Sequence, residues 1–563
     1  MSNINPVHRM SENPTVGVIL DRRGDPPYVS VSKLWNDTIN LLSARFPTRI
    51  HEVSDYFVPT SRAYCDFVAD IDVLMLLSPY YSIDRTVKDF PVVAYGLGSL
   101  QKGGHWLYQN RTSFREWDSV VLNCVSCKEI YDEIVSGARM TPWVVPFGID
   151  TARFLPRPNK RELRQKYGVP SDAFVMIYAG RISIQKNCHM LLGVLREARR
   201  KNPNVHLVVV GFFDDFYIAE FSSRPPPDSR TEFMRLVEAF DLSRNVTILE
   251  HQSDASKYAE LLALADVGIN LTTLVSENFG YTAVEMQACG LPVVGTDWAG
   301  LRDSIVHGET GFRVETTLSD YGSRVNVRRV VEYVDELMQK PTLVEKMGRA
   351  ARRHAEEKYG IAKFSENMQS VVLETFRSFC ARRRSSAGVR YHPIVENLYE
   401  TLQQQFGQSR HVSSERLHPA LDLNHYRLIL SRCATFSASS IEWTQTSRVS
   451  KGFYWSMLSP DQIVSYDPRW NTSFELTSVN FTESELSLLW DIDKYHCGVQ
   501  ELLEWRGEEW EQLSALLASL TQKGMIVQHQ PEEVKDDAVI DELGGRNGAF
   551  AHDRGAVAEH AGS

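Results

Sequence analysis

From Thr15 to Ser378, short apolar runs alternate with amphipathic stretches. Thr15–Leu20 reads as a strand followed by the polar loop Asp21–Pro27. Ser32–Phe46 puts Leu34, Trp35, Thr38, Leu41, Leu42 and Phe46 on one side at helical spacing. Ile71–Leu77, Pro91–Tyr95 and Val120–Asn123 read as further strands, and Val144–Pro146 closes the block. The runs lack polar–apolar alternation, so they predict strands buried on both faces of a parallel sheet. After Pro156–Pro158 the series restarts. Strands are expected at Phe174–Ala179, Val205–Val210, Val246–Leu249, Val267–Leu271 and Leu291–Val294, with helices at His189–Arg200, Thr231–Phe240, Tyr258–Ala265 and Tyr281–Ala288. A polar insert, Phe212–Arg230, interrupts this second series. Each parallel connection needs a crossover helix, so two such series predict an α/β chain with two doubly wound, Rossmann-like domains. Ligands of such sheets sit beyond the carboxyl ends of the strands, here facing a cleft between the domains.

Past Tyr359 the pattern changes. Phe364–Cys380 is one more helix, ended by the basic run Arg382–Arg384, which reads as solvated linker. Tyr391–Arg432 looks helical and Cys433–Val449 is rich in Ser and Thr. Gln462–Tyr466 and Phe474–Val479 then read as strands. Thr482-Glu483-Ser484-Glu485 is a capping box opening a helix through Trp490. Helices follow at Val499–Trp505 and Glu508–Lys523, the second stopped by Gly524, and Met525–Val527 is a short strand. Strands, three helices and a hairpin-like end resemble a winged helix. The expected division is therefore 12–145 and 146–360 as Rossmann-like domains, and 361–380 as a helix packing back toward the first. Residues 381–450 are expected as linker, 451–530 as a small α+β winged-helix-like domain, and 531–563 as a disordered acidic tail.

Composition narrows the function classes. The chain has 563 residues with 43 % apolar and 23 % charged residues, ordinary globular usage that excludes wholesale disorder. The formal net charge is −10, the wrong sign for a nucleic-acid binder. The candidate recognition helix also starts acidic, at Glu508, Glu509 and Glu511, so the winged-helix-like unit is not read as a DNA reader. Eight Cys without framework spacing suit a reducing compartment. Cys124-Val-Ser-Cys127 lies at what reads as a strand end, without a second pair to complete a metal set. The start of the chain lacks an apolar signal region, and no run of 18 apolar residues occurs. A cytoplasmic protein is expected, with no nucleic-acid partner and no transmembrane segment.

The candidate chemistry sits at two strand ends of the second series. Ser276–Glu285 follows the strand Val267–Leu271. Gly280 permits close backbone approach, and the helix opening at Tyr281 offers free amides to a phosphate. Glu277 lies before that helix and Glu285 one turn inside it, so the two carboxylates can accept hydrogen bonds from hydroxyls on either side of the phosphate. Ala179–Asn187 follows another strand and carries Arg181 and Lys186. A guanidinium fork and an ammonium at the same edge can neutralise a diphosphate leaving group.

Arg181-x4-Lys186 and Glu277-x7-Glu285 resemble the retaining GT-B glycosyltransferases of the group 1 type (family 4). Pro146–Phe154, Val208–Gly211, Ala265–Val267, Ala288–Thr296, Gly308–Phe312 and Met347–Ala351 continue the resemblance in order. The resemblance implies a metal-independent, cofactor-free hexosyltransferase using a nucleoside-diphosphate sugar such as a UDP-sugar. It implies that Glu277 holds the donor sugar near its anomeric carbon and that Glu285 binds the ribose. Asn278, Phe279, Gly280, Tyr281 and Thr282 would line the sugar and diphosphate, with Arg181 and Lys186 on the diphosphate. Glu250, His251 and Gln252 would border the base, and Gly24 would face the phosphate across the cleft. One departure stands out. Many members carry a His after the strand equivalent to Pro91–Tyr95, whereas this chain reads Gly96-Leu97-Gly98-Ser99 and its nearest His is His105. The C-terminal unit resembles small peptide-recognition domains of PqqD type, which makes a peptide one candidate acceptor. Two alternatives stay open. One is a catalytically silent GT-B protein that binds a sugar nucleotide or glycan. The other is a scaffold recruiting a partner through residues 450–530. The oligomeric state is open as well.

Overall fold

The computed structural model describes residues 13–21, 29–53, 62–77, 83, 85, 88–95, 114–134, 140–183, 186–214, 228–252, 254–274, 277–319, 322–383, 433–451, 455–459, 462–465, 481–495 and 498–529. Two six-stranded sheets dominate. The first has the order β2-β1-β3-β4-β5-β6, built from β1 (Val16–Asp21), β2 (Thr48–Val53), β3 (Val73–Leu76), β4 (Val92–Tyr95), β5 (Ser119–Leu122) and β6 (Thr141–Val144). The second has the order β12-β11-β10-β7-β8-β9, built from β7 (Phe174–Ala179), β8 (Val205–Gly211), β9 (Val246–Glu250), β10 (Val267–Asn270), β11 (Val293–Thr296) and β12 (Gly311–Val314). Every neighbouring pair in both sheets is parallel. The continuous apolar runs are the reason. β3, β4, β5, β8, β10 and β11 are buried at every position, as helices on both faces require.

Several elements depart from the sequence expectation. β2 and the helix Arg62–Ala69 had no predicted counterpart. β2 is an edge strand whose Thr-Arg-Ile-His-Glu-Val sequence carries no apolar run to signal it. The expected strand at Leu291–Val294 is shifted to Val293–Thr296, and the helix at Tyr258–Ala265 to Ala255–Ala263. Cys124 does not close a strand end. It precedes the helix Val125–Ile134, and Cys127 donates its backbone N–H to Cys124 Sγ at 3.4 Å.

The helix Ile361–Arg383 leaves the second domain and returns to the first. There Thr375 Oγ1 and Ser119 Oγ share a 2.6 Å hydrogen bond, and Phe379 meets the Trp117 ring edge-on. The two domains also meet through aromatic rings. Phe147, on the connecting segment, stacks on Tyr281 and on Tyr95 and lies edge-on to Phe279.

The described part of the C-terminal region is packed onto the second domain. Residues expected as connecting chain form β15 (Phe436–Ser437), which pairs in parallel with β13 (Thr316–Ser319), itself hairpinned to β14 (Gly322–Val325). Cys433, Ala434 and Trp443 are buried, because this segment lies in the core rather than in solvent. β16 (Arg448–Lys451) runs antiparallel to β19 (Ile526–His529), while β17 (Trp455–Ser459) and β18 (Gln462–Ser465) pair with each other. The capping box forms: Thr482 N donates to Glu485 Oε2 at 2.7 Å and Glu485 N to Thr482 Oγ1 at 3.2 Å, opening the helix Glu483–Tyr495. Helices Val499–Arg506 and Trp510–Gln522 follow. The hairpin expected after the last helix is not what the described residues form. A single strand, β19, follows it and pairs back to β16, and the β17–β18 hairpin lies ahead of the helices. Phe474–Val479, Tyr391–Arg432 apart from its neighbours after 432, and the acidic tail lie outside the described residues, as do Gly24, Gly96–Ser99 and His105.

Candidate active site

The second sheet reverses its winding between β7 and β10. The chain runs outward through β7, β8 and β9, then returns to the other side of β7 as β10, β11 and β12. The crevice beyond the carboxyl ends of these two central strands is where an open α/β sheet binds its ligand. The two loops singled out by their residue types are the loops that leave β7 and β10.

They meet there. Lys186 Nζ forms an ion pair with Glu277 Oε2, with side-chain exposures of 17 % and 10 % that leave both screened from bulk water. Asn187 fixes the register of the two loops. It takes a left-handed conformation (φ 55°) ahead of the helix Cys188–Lys201, and its buried side chain donates to Leu271 O at 2.8 Å and to Thr273 Oγ1 at 3.0 Å. Arg181 points along the same edge and pairs with Asp214 Oδ2 through Nη1 at 2.6 Å. Its own carbonyl accepts from Tyr178 Oη at 2.7 Å.

On the β10 side, Gly280 adopts φ +81° immediately before the helix Tyr281–Ala288. That sharp turn aims the helix N-terminus into the crevice, and among the described residues no side chain caps it. The Tyr281 and Thr282 amides and the positive end of the helix dipole point into the crevice toward an anion, while the Ala283 N–H is already bonded to Gly280 O at 2.9 Å. Asn278 reaches across to the first domain, where its Nδ2 donates to Asn123 Oδ1 at 3.1 Å just past β5. Phe279 is buried and Tyr281 stacks on Phe147, so this loop is held from both domains. Thr282 is the next residue of the same helix.

Glu285 lies one turn deeper and is almost fully buried. Burial pushes its carboxyl up to about 7, opposed by the positive charge of Lys33 and a hydrogen bond from Tyr258. Lys33 belongs to the helix Val29–Arg45 of the first domain, and its ammonium sits 5.7 Å from the Tyr281 ring centre. Glu250 and His251 are exposed at the end of β9, Gln252 Nε2 donates to Glu250 O at 3.0 Å, and His251 meets the exposed Phe212 ring edge-on.

The structure thus brings Arg181, Lys186, Glu277, Asn278, Phe279, Gly280, Tyr281, Thr282 and Glu285 to one crevice, with Glu250, His251 and Gln252 along the same strand edge. Gly24 lies outside the described residues. Sequence reasoning missed Asp214, Asn187, Asn123 and Lys33. Among the described residues no three His, Cys, Asp or Glu side chains cluster as metal ligands, and no helix is long and apolar enough to cross a membrane.

Comparison with known proteins fits this geometry. Residues 159–354 match the family of group 1 glycosyl transferases. The match contains both loops of the crevice and the helix between Tyr281 and Ala288. The chain is 31 % identical over 172 residues to a D-inositol 3-phosphate glycosyltransferase of Kineococcus radiotolerans, an overlap of 30 % of this chain and 37 % of that one. It is 27 % identical over 225 residues to the capsular polysaccharide biosynthesis glycosyltransferase CapM of Staphylococcus aureus, 40 % of this chain and 52 % of that one. The chain therefore spans about a third to a half of the length of these curated relatives. The solved structure of Anabaena Alr3699/HepE in complex with UDP aligns with a TM-score of 0.51 at 17 % identity, over 63 % of this chain and 98 % of that one. This is the GT-B fold: two Rossmann-like sheets facing a cleft.

Proposed function

We propose that this chain is a retaining glycosyltransferase that moves a sugar from a nucleoside-diphosphate sugar to an acceptor. The observation that carries the reading is the Lys186–Glu277 pair. It joins the loops of the two central strands in front of an uncapped helix N-terminus. A cation for the leaving diphosphate and a carboxylate for the sugar lie side by side, as a donor with both groups requires.

In this mechanism the bond between the anomeric carbon and the β-phosphate oxygen breaks, and its electron pair stays on the diphosphate. Arg181, Lys186 and the amides at Tyr281 hold that charge, each preorganised donor contributing about 3 kcal/mol to the transition state. Glu277 orients the sugar beside the developing positive charge. The acceptor oxygen attacks from the face the diphosphate leaves, and its proton passes to the departing phosphate oxygen, so no side-chain base is needed. Glu285 receives the ribose hydroxyls, and Glu250, His251 and Gln252 border the base. Closure of the first domain, which already touches the loop through Asn123, excludes water.

The proposal does not extend to a peptide acceptor. The described helices of residues 483–522 bury their apolar faces in the same core as the second domain.

A thermal-shift screen of the full chain against UDP-, GDP-, ADP- and dTDP-sugars identifies the donor; UDP-glucose comes first, because Anabaena HepE has been solved with UDP and glucose. Release of the nucleoside diphosphate then measures turnover. Glu277→Gln and Lys186→Ala are each expected to lower it about 10²–10³-fold while the melting temperature holds. Wild-type-like turnover by either variant overturns the assignment.

A further inference from the structure

The loop that carries Glu277 does not stand by itself. Gly300 N donates to Glu277 O at 3.1 Å, and Trp298 Nε1 donates to Leu274 O at 3.0 Å, so the turn Asp297–Gly300 grips the loop at both ends. The fit is close. A Cβ on Gly300 would lie 2.4 Å from Phe279 N and 2.5 Å from Asn278 C. Trp298 is fully buried, which fixes the turn from beneath.

This turn is itself under constraint. Ala299, between Trp298 and Gly300, has φ 42° and ψ −124°, a backbone conformation that L-residues rarely adopt. Such a conformation persists only where its surroundings hold it. Its N–H is held by Cys433 O at 3.2 Å. Two residues on, Thr435 Oγ1 lies 2.9 Å from Asp297 Oδ2 and 3.2 Å from Asp297 O. Thr435 is fixed in turn by Thr316. Thr316 N donates to Thr435 Oγ1 at 2.9 Å, Thr435 N donates to Thr316 Oγ1 at 3.0 Å, and Thr316 Oγ1 donates to Asp297 O at 3.1 Å. The parallel pairing of β13 with β15 begins one residue further along both strands.

We propose that Cys433–Ser437 is a brace, supplied by the C-terminal region, that holds the strained turn at Ala299 and through it positions Glu277. Thr435 is the positioning residue. The brace reaches the site from outside residues 159–354, so a chain with the group 1 region alone would need another way to hold this turn. The C-terminal region then acts on the transfer step through the shape of the donor loop, without touching the donor. The consequence for Glu277 rests on the reading of that residue as the donor-sugar contact; the mechanical coupling does not.

The test uses the full chain and two readouts. Amide hydrogen exchange over residues 277–284 and 297–301 reads the brace with no donor present. In Thr435→Val, which keeps shape but removes the hydroxyl, exchange in both segments is expected to rise about tenfold, and Thr435→Ser is expected to restore it. UDP-glucose turnover and UDP binding form the second readout. Thr435→Val is expected to lower kcat about tenfold while the Kd for UDP stays within twofold, because the diphosphate contacts lie elsewhere. Should Thr435→Val fail to fold, Thr316→Val removes the reciprocal hydroxyl and is expected to give the same pattern. Unchanged exchange in these variants, or equal losses in kcat and UDP affinity that Thr435→Ser does not rescue, overturns the brace. Raised exchange in a protein whose wild-type form neither binds nor turns over any of the UDP-, GDP-, ADP- and dTDP-sugars screened supports the brace and counts against the transfer reading.

Discussion

Glu285 is a carboxyl that burial makes expensive to ionise. Its folded value near 7 stands above an ordinary 4.5, so the folded state holds the proton more tightly than the unfolded chain. Stability from this group is full below 4.5 and is lost as pH rises through 7. Glu285→Gln, which stays neutral at every pH, is therefore expected to gain stability relative to the wild type as pH rises from 5 to 8. The change in relative stability is about 2–3 kcal/mol over that window. Melting temperatures of both proteins at half-unit pH steps measure it; a constant difference would show that the burial of charge is offset by Lys33 and Tyr258. The same group predicts tighter UDP binding above pH 7 than below, since only the carboxylate accepts from both ribose hydroxyls. Among single residues, those whose meaning is local were readable in the sequence. Arg181, Lys186 and Glu277 lie between a strand end and a helix, and Glu285 one turn inside such a helix; that placement is written in their neighbours. Lys33, Asp214 and Thr435 act on partners far along the chain, and no spacing rule links Lys33 to Glu285 or Thr435 to Asp297.

At the scale of elements, the donor loop works because a helix starts where a glycine turns the chain. Gly280→Ala places an L-residue at φ +81°, at a cost of about 1–2 kcal/mol. The added Cβ also meets the Leu301 Cδ2 end at 2.7 Å, a flexible contact that can yield, so the backbone conformation sets most of the cost. The expected outcome is a melting temperature lower by about 2–8 °C and turnover reduced more than stability alone explains, because the helix N-terminus re-aims. Gly280→Asn, tolerated in the left-handed region, is expected to lose less of both. Unchanged turnover in Gly280→Ala would show that the helix N-terminus does not hold the donor. The elements themselves were legible to different degrees for one physical reason. Strands covered on both faces, such as β8 and β10, announce themselves as unbroken apolar runs, and their order of appearance gives the doubly wound topology. β2 lies at a sheet edge, and the short strands β13 and β15 are made of Thr, Ser, Leu and Phe in an irregular mix, so neither carries a period. Their pairing is decided by tertiary contacts that a single sequence does not display.

At the scale of the whole molecule, the C-terminal region and the second domain share one core. Met190, Leu191, Val330 and Leu337 of the domain pack in the same cluster as Leu488, Leu513 and Leu517 of the region. Polar contacts cross the same boundary. Arg324, 1 % exposed, donates through Nε to Gly524 O at 2.9 Å, and Asn326 Nδ2 lies 3.1 Å from His529 Nδ1. A module joined by a linker would melt by itself; a shared core cannot. Calorimetry of the full chain is therefore expected to show the second domain and residues 433–529 unfolding in one transition. Arg324→Leu should lower that transition as a unit. It removes the donor to a buried carbonyl, at a cost of about 1–3 kcal/mol for the orphaned acceptor. Ending the chain at residue 432 strips both the apolar cover and the partner of Arg324, and the expected product is insoluble or melts well below the full chain. A truncated protein that melts like the full chain and turns over donor at the full rate would show that the C-terminal region is an accessory. It would also remove the brace at Ala299, since no other described contact bonds that residue's N–H.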